Sequence, residues 1–280
     1  MAYKLYPAIF VLTLSLIQSS VQQIEPDLVQ PGVSMIAQDP VLSPGEGLAV
    51  VGQDGKVSEW GDANNLSPMG SLAKVLWLHL EAEEWESSSV EYRCRGELQG
   101  VKCTKSHGRV DLAKSFKEDC NVAFYLWVNI SRERWKKDFG DGGARLRLNN
   151  VFGPFLGNRL PRQPDLPERF GTEWFADGQL LQAAPAQLAH WLAAPNQEKL
   201  QRTIRKYMLG FTDFAFGRNA KWWIKVAEAP TLQKEGQDGD TQKQVWVLGG
   251  NDSTTAILRL PPGVTPKDAQ ARFKTLLSIK

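Results

Sequence analysis

The sequence lacks a strong excess of either charge. Its 33 lysines and arginines face 31 aspartates and glutamates, which leaves a net charge of +2. This balance gives no reason to expect nucleic acid or an anionic membrane surface as a partner. Internal repeats and low-complexity tracts are also missing. The 280 residues, of which 42% are hydrophobic, suit one sizeable globular domain.

Long apolar runs are absent beyond the first twenty residues. There, Lys4 precedes an apolar stretch over 7–17, and Gln-Ser-Ser follows at 18–20. This order predicts a secretory signal peptide over residues 1–20, too short to serve as a membrane anchor. We therefore expect a secreted or periplasmic protein with no transmembrane segment after signal cleavage.

The rest of the chain divides by its periodicity. Residues 21–45 are rich in Gln, Pro and Ser and are expected to form an extended lead-in to one domain over 46–280. Strands are predicted around an Asp-Gly turn and near the C-terminus, and helices between them and at the end. The strands are predicted over 48–51, 57–60, 222–227, 244–248 and 254–260, and the helices over 67–84, 111–116, 121–130, 180–193, 198–208 and 266–279. This order predicts an α+β fold, with a sheet built from both chain ends and an all-helical subdomain.

Cysteine is scarce, with only three in the chain. In an oxidising compartment Cys94 and Cys103 are expected to close a short loop as a disulfide, whereas Cys120 lies in an apolar stretch and reads as buried and unpaired. Zinc binding by Cys94, Cys103 and His107 is the alternative. Their spacing fits no common zinc signature and no fourth ligand is evident. We therefore expect no metal and no cofactor.

The most informative stretch places Ser71 and Lys74 three residues apart at the start of an apolar helix, after Pro-Met-Gly. Residues i and i+3 share a helix face, so the amine can reach the hydroxyl. A serine hydroxyl needs such a base to act as a nucleophile. The pair therefore predicts a self-activating serine, although Ser-x-x-Lys alone is a weak signal.

Further segments carry a resemblance to a known family. Residues 94–124 contain Cys, Cys, His-Gly-Arg-Val-Asp-Leu and Asp-Cys-Asn-Val-Ala-Phe, and residues 178–189 contain a Pro-Ala-Gln-Leu-Ala helix. With Ser-x-x-Lys and with Val-Trp-Val-Leu-Gly-Gly at 245–250, these blocks resemble the penicillin-recognising serine enzymes. That group comprises penicillin-binding transpeptidases, class D β-lactamases and related sensor domains. The resemblance covers about residues 46–280 and implies a β-lactamase/transpeptidase-like fold, with an antiparallel sheet packed against N- and C-terminal helices.

The second motif departs from this family, whose pattern is Ser-x-Asn. Asp119 stands in the place of the serine, and Asn121 is kept. The resemblance implies that these positions relay a proton and position substrate. An aspartate close to Lys74 favours the protonated amine, which cannot act as a base. Asp119 would itself be a weak base unless burial raised its pKa.

The third motif, Lys-Thr-Gly in the family, departs further. The preferred register places Lys225, Val226 and Ala227 there, and the alternative register begins at Lys221. Either register loses the threonine hydroxyl that helps to hold a substrate carboxylate in the family. The resemblance therefore implies weakened binding of a β-lactam or of a D-Ala-D-Ala terminus.

Two functions follow from these observations. The first is a weak or inactive acyl-serine protein, a pseudoenzyme in cell-envelope or peptidoglycan-related processes, whose partner is a peptidoglycan stem peptide or another envelope component. The second is an active serine acyltransferase or hydrolase of the DD-peptidase or β-lactamase type. In that enzyme Ser71 is the nucleophile and Lys74 the base, Asp119 and Asn121 relay and position, and Lys225 contacts the substrate carboxylate.

Overall fold

A computed structural model describes residues 39–84, 91–156, 171, 174, 180–194, 197–208, 222–231, 242–251 and 253–277. All of these belong to one compact unit over residues 35–280. The predicted signal peptide and most of the predicted lead-in lie outside the described residues. Within them the strands are β1 (Gly47–Val51), β2 (Val57–Gly61), β3 (Ser67–Pro68), β4 (Tyr92–Cys94), β5 (Glu97–Leu98), β6 (Val101–Lys102), β7 (Gly108–Val110), β8 (Gln182–Ala183), β9 (Trp223–Pro230), β10 (Lys243–Gly250) and β11 (Thr255–Leu260). The α-helices are α1 (Lys74–Glu84), α2 (Leu112–Lys117), α3 (Asn121–Phe152), α4 (Pro185–Ala193), α5 (Glu198–Met208) and α6 (Pro266–Leu276).

The main sheet has the strand order β2-β1-β11-β10-β9, and all of its neighbours are antiparallel. Strands β1 and β2 come from the N-terminal part of the domain, and β9 to β11 come from its C-terminal part. The two parts join where Leu48 of β1 lies opposite Leu258 of β11. The predicted α+β fold with an antiparallel sheet from both chain ends is therefore confirmed.

Alternation along the strands divides the core into two apolar layers. Leu48 and Val50 of β1 belong to the layer that contains Phe273 of α6, whereas Ala49 and Val51 belong to the layer that contains Leu72 and the other helices. Successive side chains of a strand point to opposite faces, so a strand buried on both faces is apolar throughout. The sheet is thus the middle layer of three.

The segment between the two parts of the sheet is mostly helical. It also contains three two-stranded sheets among the described residues, formed by β3-β8, β4-β7 and β5-β6. The expected all-helical subdomain is corrected in this respect. The short strands form where turn residues leave too little chain for a helical turn, as at Gly96 and Gly100, both with positive φ.

Helix α3 is longer than the sequence predicts. The sequence predicts a helix only over 121–130, but the structure continues it to Phe152 with a kink at Gly140 (φ 68°, ψ 174°). Glycine costs about 1 kcal/mol in a helix interior. Beyond the kink, Ala144, Leu148 and Val151 are buried at helical spacing, and their burial outweighs that cost.

Two helix starts also differ from prediction. Ser67 and Pro68, expected to cap and begin the first helix, instead form β3 and pair with β8. A 3₁₀ turn over Gly70–Ala73 follows, and α1 begins only at Lys74. Residues 182–183 are taken up by β8, so α4 begins at Pro185. Among the described residues, no helix combines the length and the apolar character needed to cross a membrane.

Candidate functional site

Side chains of the main sheet hold the loop that carries Ser71. The carbonyl of Pro68 accepts hydrogen bonds from Trp246 Nε1 (2.9 Å) and Gln244 Nε2 (3.2 Å), and both donors stand on β10. The Met69 amide donates to the carbonyl of Leu181 at 2.8 Å. These bonds fix the backbone directly before the 3₁₀ turn on which Ser71 lies.

Gly70 brings that turn into close contact with β9. Its φ is +50°, and a Cβ added there would lie 2.3 Å from the Glu228 carbonyl oxygen and 2.5 Å from Ala229 Cα. Only glycine permits both this conformation and this separation. Ser71, only 7% exposed, is consequently held beside the strand that carries the third motif.

Lys74 lies at the first position of α1 and is fully buried. Its Nζ donates to Asp119 Oδ1 and to Asn121 Oδ1, each at 2.6 Å. The ring of Phe124 lies 5.6 Å from the same nitrogen. Asn121 in turn donates from Nδ2 to the Lys102 carbonyl at 3.0 Å, which sets the orientation of its amide. The first two motifs are therefore in direct contact.

Asp119 is the centre of the cluster. It lies between α2 and α3 with φ 59°, a left-handed conformation that aspartate adopts more readily than most residues. Besides Lys74, it accepts from Lys225 Nζ at 3.3 Å. Ser71 is close enough to contribute to the lowered pKa of this carboxyl. Burial alone would raise the pKa of Asp119, but the two lysine charges and these hydrogen bonds outweigh it and hold the pKa well below its usual range.

Lys225 reaches the cluster from β9. Its Nζ donates to the Phe116 carbonyl at 3.0 Å and lies 4.8 Å from the centre of the Phe116 ring. Burial lowers the pKa of Lys225, and nearby Lys74 adds to this effect, whereas Asp119 opposes it. Two cations thus share one carboxylate, and Lys225 is the cation that burial disfavours.

The three residues of the third motif lie on two different faces of the main sheet. Ala227 lies in the same apolar layer as the residues around Ser71, but Val226 packs into the layer of α6 on the other face of the sheet. Lys225 in contact with Asp119 favours the register that begins at this residue. Lys221, the start of the alternative register, lies outside the described residues.

The cysteines differ from the sequence prediction. Cys94 and Cys103 are free, with sulfurs 3.8 Å apart, whereas a disulfide needs about 2.05 Å. The expected disulfide is therefore not formed in the structure. Cys120, expected to stand apart, lies 3.8 Å from Cys103, because the turn before α3 folds its side chain towards the β5–β6 hairpin. His107 joins the same group, with Nδ1 3.6 Å from Cys94 Sγ.

Sequence reasoning missed the residues that position the site. Arg259 of β11 donates to the Asn65 carbonyl at 2.9 Å and to Ser67 Oγ at 2.5 Å, and so anchors the segment before Ser71 from a third strand. A signal was present, because Arg259 is a charged residue within an apolar strand. Gln244 and Trp246 carried no comparable signal, since a polar strand end and a core tryptophan are common.

Comparison with known proteins supports this architecture. No protein-family model matches the chain, and no curated protein matches it in sequence. Solved structures do match in fold. The penicillin-binding protein PonA1 from Mycobacterium tuberculosis is 12% identical, with a TM-score of 0.53 and coverage of 83% of this chain and 75% of that chain.

Two further structures give the same result. PBP2 of Pseudomonas aeruginosa is 11% identical with a TM-score of 0.52, and the match covers 87% of this chain and 74% of that one. The class D β-lactamase OXA-427 is 14% identical with a TM-score of 0.51, and the match covers 82% and 95%. The chain thus has the fold of penicillin-binding proteins and class D β-lactamases, as the resemblance implied.

Proposed function

We propose that this chain is an exported penicillin-binding-protein-like domain that acylates its serine weakly or not at all, and that it acts in cell-envelope, peptidoglycan-related processes. The observation that carries the proposal is the position of Asp119. This one carboxylate accepts hydrogen bonds from both lysines of the cluster and lies beside Ser71. An acylating serine instead needs a free base beside its hydroxyl.

The carboxylate beside Ser71 is a poor proton acceptor. A carboxylate whose pKa is held below its usual range has little tendency to take a proton from an alcohol at neutral pH. Lys74 donates to Asp119 and to Asn121, so two of its N–H groups face acceptors. The Lys74 amine is thus engaged by the second motif, through an ion pair with Asp119 and a hydrogen bond to Asn121.

The third motif supports the same conclusion. Val226 offers no hydroxyl and packs on the face of the sheet away from Ser71, so this position cannot hold a substrate carboxylate by hydrogen bonding. The charge of the cluster still favours the binding of an anion. With both lysines protonated, the described cluster carries one more positive than negative charge, which attracts an anionic group such as the carboxylate of a peptidoglycan stem peptide.

The test is covalent labelling with a fluorescent penicillin, read by gel fluorescence and by the mass of the intact protein. We expect little adduct on the native chain. The variant Asp119→Ser/Val226→Thr/Ala227→Gly, which restores the family pattern, should label about 100-fold faster or more, because it removes the carboxylate that pairs with Lys74.

Ser71→Ala in both backgrounds is the control, and it should abolish any specific adduct. Circular dichroism establishes that each variant is folded. Rapid Ser71-dependent labelling of the native chain would contradict the proposal. So would a folded triple variant that labels no faster than the native chain.

An active acyl-serine enzyme is the second candidate, and one observation favours it. Ser71, Lys74 and Asn121 converge at a shared buried centre, as nucleophile, amine and positioning amide must do. In that case Asp119 is the base and the substrate is an amide or ester other than a β-lactam. Ser71-dependent hydrolysis of a stem-peptide analogue without penicillin labelling would favour this candidate.

A further inference from the structure

We propose that Cys94, Cys103, His107 and Cys120 bind one zinc ion beside the Ser71–Lys74–Asp119 cluster. All three cysteines of the chain take part. Their sulfurs and one histidine nitrogen all lie within 4.8 Å of one another. The sequence offers no evident fourth ligand, and the structure supplies one by folding Cys120 towards the other three residues.

The separations fit a tetrahedral zinc ion. Zinc–sulfur bonds of 2.3 Å and zinc–nitrogen bonds of 2.0–2.1 Å imply edges of about 3.8 Å between sulfurs and about 3.6 Å from sulfur to nitrogen. The Cys94–Cys103 and Cys103–Cys120 sulfurs are each 3.8 Å apart, and Cys94 Sγ lies 3.6 Å from His107 Nδ1. Three edges therefore already have the required length. The longest separation in the group, 4.8 Å, must shorten by about 1 Å.

His107 is oriented as a ligand. Its Nε2 lies 3.1 Å from the Glu118 carbonyl oxygen, which can only accept a hydrogen bond. Nε2 therefore carries the proton, and in the neutral ring the lone pair of Nδ1 faces the sulfurs. A backbone carbonyl that holds the second ring nitrogen is the usual partner of a zinc-binding histidine.

Backbone amides support the sulfurs in the same way. The Gly96 amide donates to Cys94 Sγ, and the Val122 amide donates to Cys103 Sγ, both at 3.4 Å. Hydrogen bonds of this kind favour the thiolate, which is the form that binds metal. Binding would release the thiol protons to solvent and leave three thiolates and a neutral imidazole around the ion.

The position gives the ion a structural role for the candidate site. Cys120 stands between Asp119 and Asn121, and Cys103 follows Lys102, whose carbonyl accepts from Asn121. A zinc ion would therefore tie the second motif to the β5–β6 hairpin. This inference does not depend on whether Ser71 is acylated.

The test uses the full chain purified without chelator from zinc-supplemented cells. We expect about one zinc per chain by elemental mass spectrometry, three alkylatable thiols after denaturation with EDTA, and thiolate-to-metal absorption when cobalt replaces zinc. Removal of zinc should lower the melting temperature, because the ion binds the folded form.

The variants are His107→Ala and, as a matched control, His190→Ala. His190 is 62% exposed and bonds to Glu59, away from the cysteines. His107→Ala should bind less than about one tenth as much zinc, and His190→Ala should keep the full amount. Cys120→Ser gives a second, independent variant.

Two results would overturn the inference. One is a folded native chain without zinc after dialysis against zinc chloride. The other is a native chain purified chiefly with a Cys94–Cys103 disulfide, two mass units lighter and with one alkylatable thiol. Equal zinc content in the folded His107→Ala and His190→Ala variants would overturn the ligand assignment.

Discussion

At the scale of single residues, Asp119 decides the electrostatics of the site. It replaces a neutral serine of the family pattern and accepts from two buried lysines at 2.6 and 3.3 Å. A carboxylate in this position supplies the counter-charge without which two buried ammonium groups would face each other. Asp119 thus forms an ion pair at the position where the resemblance implies a proton-relaying serine.

Acid titration tests this role of Asp119. A carboxyl group whose pKa is lowered on folding stabilises the protein above its unfolded pKa of about 3.9 and loses that contribution as the pH falls towards its folded pKa. Asp119→Asn, which keeps the shape and tolerates the left-handed backbone, should lower the unfolding free energy at pH 7 by about 1–3 kcal/mol. This loss is smaller than that expected for a fully buried ion pair, because the Asp119 side chain is 39% exposed and solvent weakens the interaction. Urea titrations between pH 2 and pH 7 measure the unfolding free energy of the native chain and of Asp119→Asn.

The difference in unfolding free energy between the native chain and Asp119→Asn should become smaller below about pH 4. Asp54→Asn is the control, because Asp54 pairs with Lys56 at the exposed hairpin turn, and it should change stability little at any pH. Parallel stability curves for the native chain and Asp119→Asn would show that the carboxylate does not carry the effect.

Single residues also mark the limit of the sequence prediction. Ser71, Lys74, Asp119 and Asn121 could be brought together in advance, because ordered motifs fix which segments meet. Their hydrogen bonds could not, since the pairing of Lys74 Nζ with both Asp119 and Asn121 depends on side-chain positions that the motifs do not specify. The grouping of Cys120 with Cys94 was missed because it depends on a turn whose backbone has no sequence signature.

At the scale of elements, the turn before α1 governs where the serine lies. Sequence propensity predicts a regular helix from Ser67, but pairing of β3 with β8 takes the first residues and leaves a 3₁₀ turn. Tertiary pairing thus overrode a favourable capping pattern. The hairpin β1–β2 and helix α5 were confirmed, since their signals are local: an Asp-Gly turn in one and a strong helical periodicity in the other.

Gly70→Ala tests the contact between this turn and β9. The change introduces a Cβ 2.3 Å from the Glu228 carbonyl oxygen, and backbone atoms cannot move aside easily. Gly55→Ala is the matched control, because Gly55 has φ +74° but no atom within 4 Å of an added Cβ. Both variants carry the backbone strain of about 1–2 kcal/mol, so Gly70→Ala should cost at least about 2 kcal/mol more. Thermal or urea unfolding measures the difference in stability between the two variants. Equal destabilisation of both would show that the close contact between Gly70 and β9 has no energetic effect.

At the scale of the whole molecule, the sheet couples two apolar layers. Phe273 of α6 is fully buried on one face, whereas the Ser71 turn packs on the other. Cover on both faces agrees with the apolar strands at both chain ends, because a strand that is apolar throughout must be buried on both faces. The short sheets within the helical part could not be predicted, since strands of two or three residues leave no periodicity to detect.

Phe273→Ala should lower the unfolding free energy by about 3–5 kcal/mol, as expected for a large cavity in a core. Phe139→Ala on the exposed side of α3 is the control, because that ring is 56% exposed, and should cost no more than about 0.5 kcal/mol. Tryptophan fluorescence and far-ultraviolet circular dichroism should give one coincident transition for each chain. Separate transitions for the two signals would indicate that the layers unfold independently.

The pairing of β1 with β11 has a consequence for synthesis. Arg272 of α6 donates to Glu46, just before β1, across 226 positions of the chain. The first strand therefore has no neighbour on one side until residues 255–260 have left the ribosome. The main sheet therefore cannot be completed until β11 has been synthesised, and pairing between such distant segments makes folding slow. Under the proposal that this chain is exported, the delay would keep it unfolded for passage through a secretion pore.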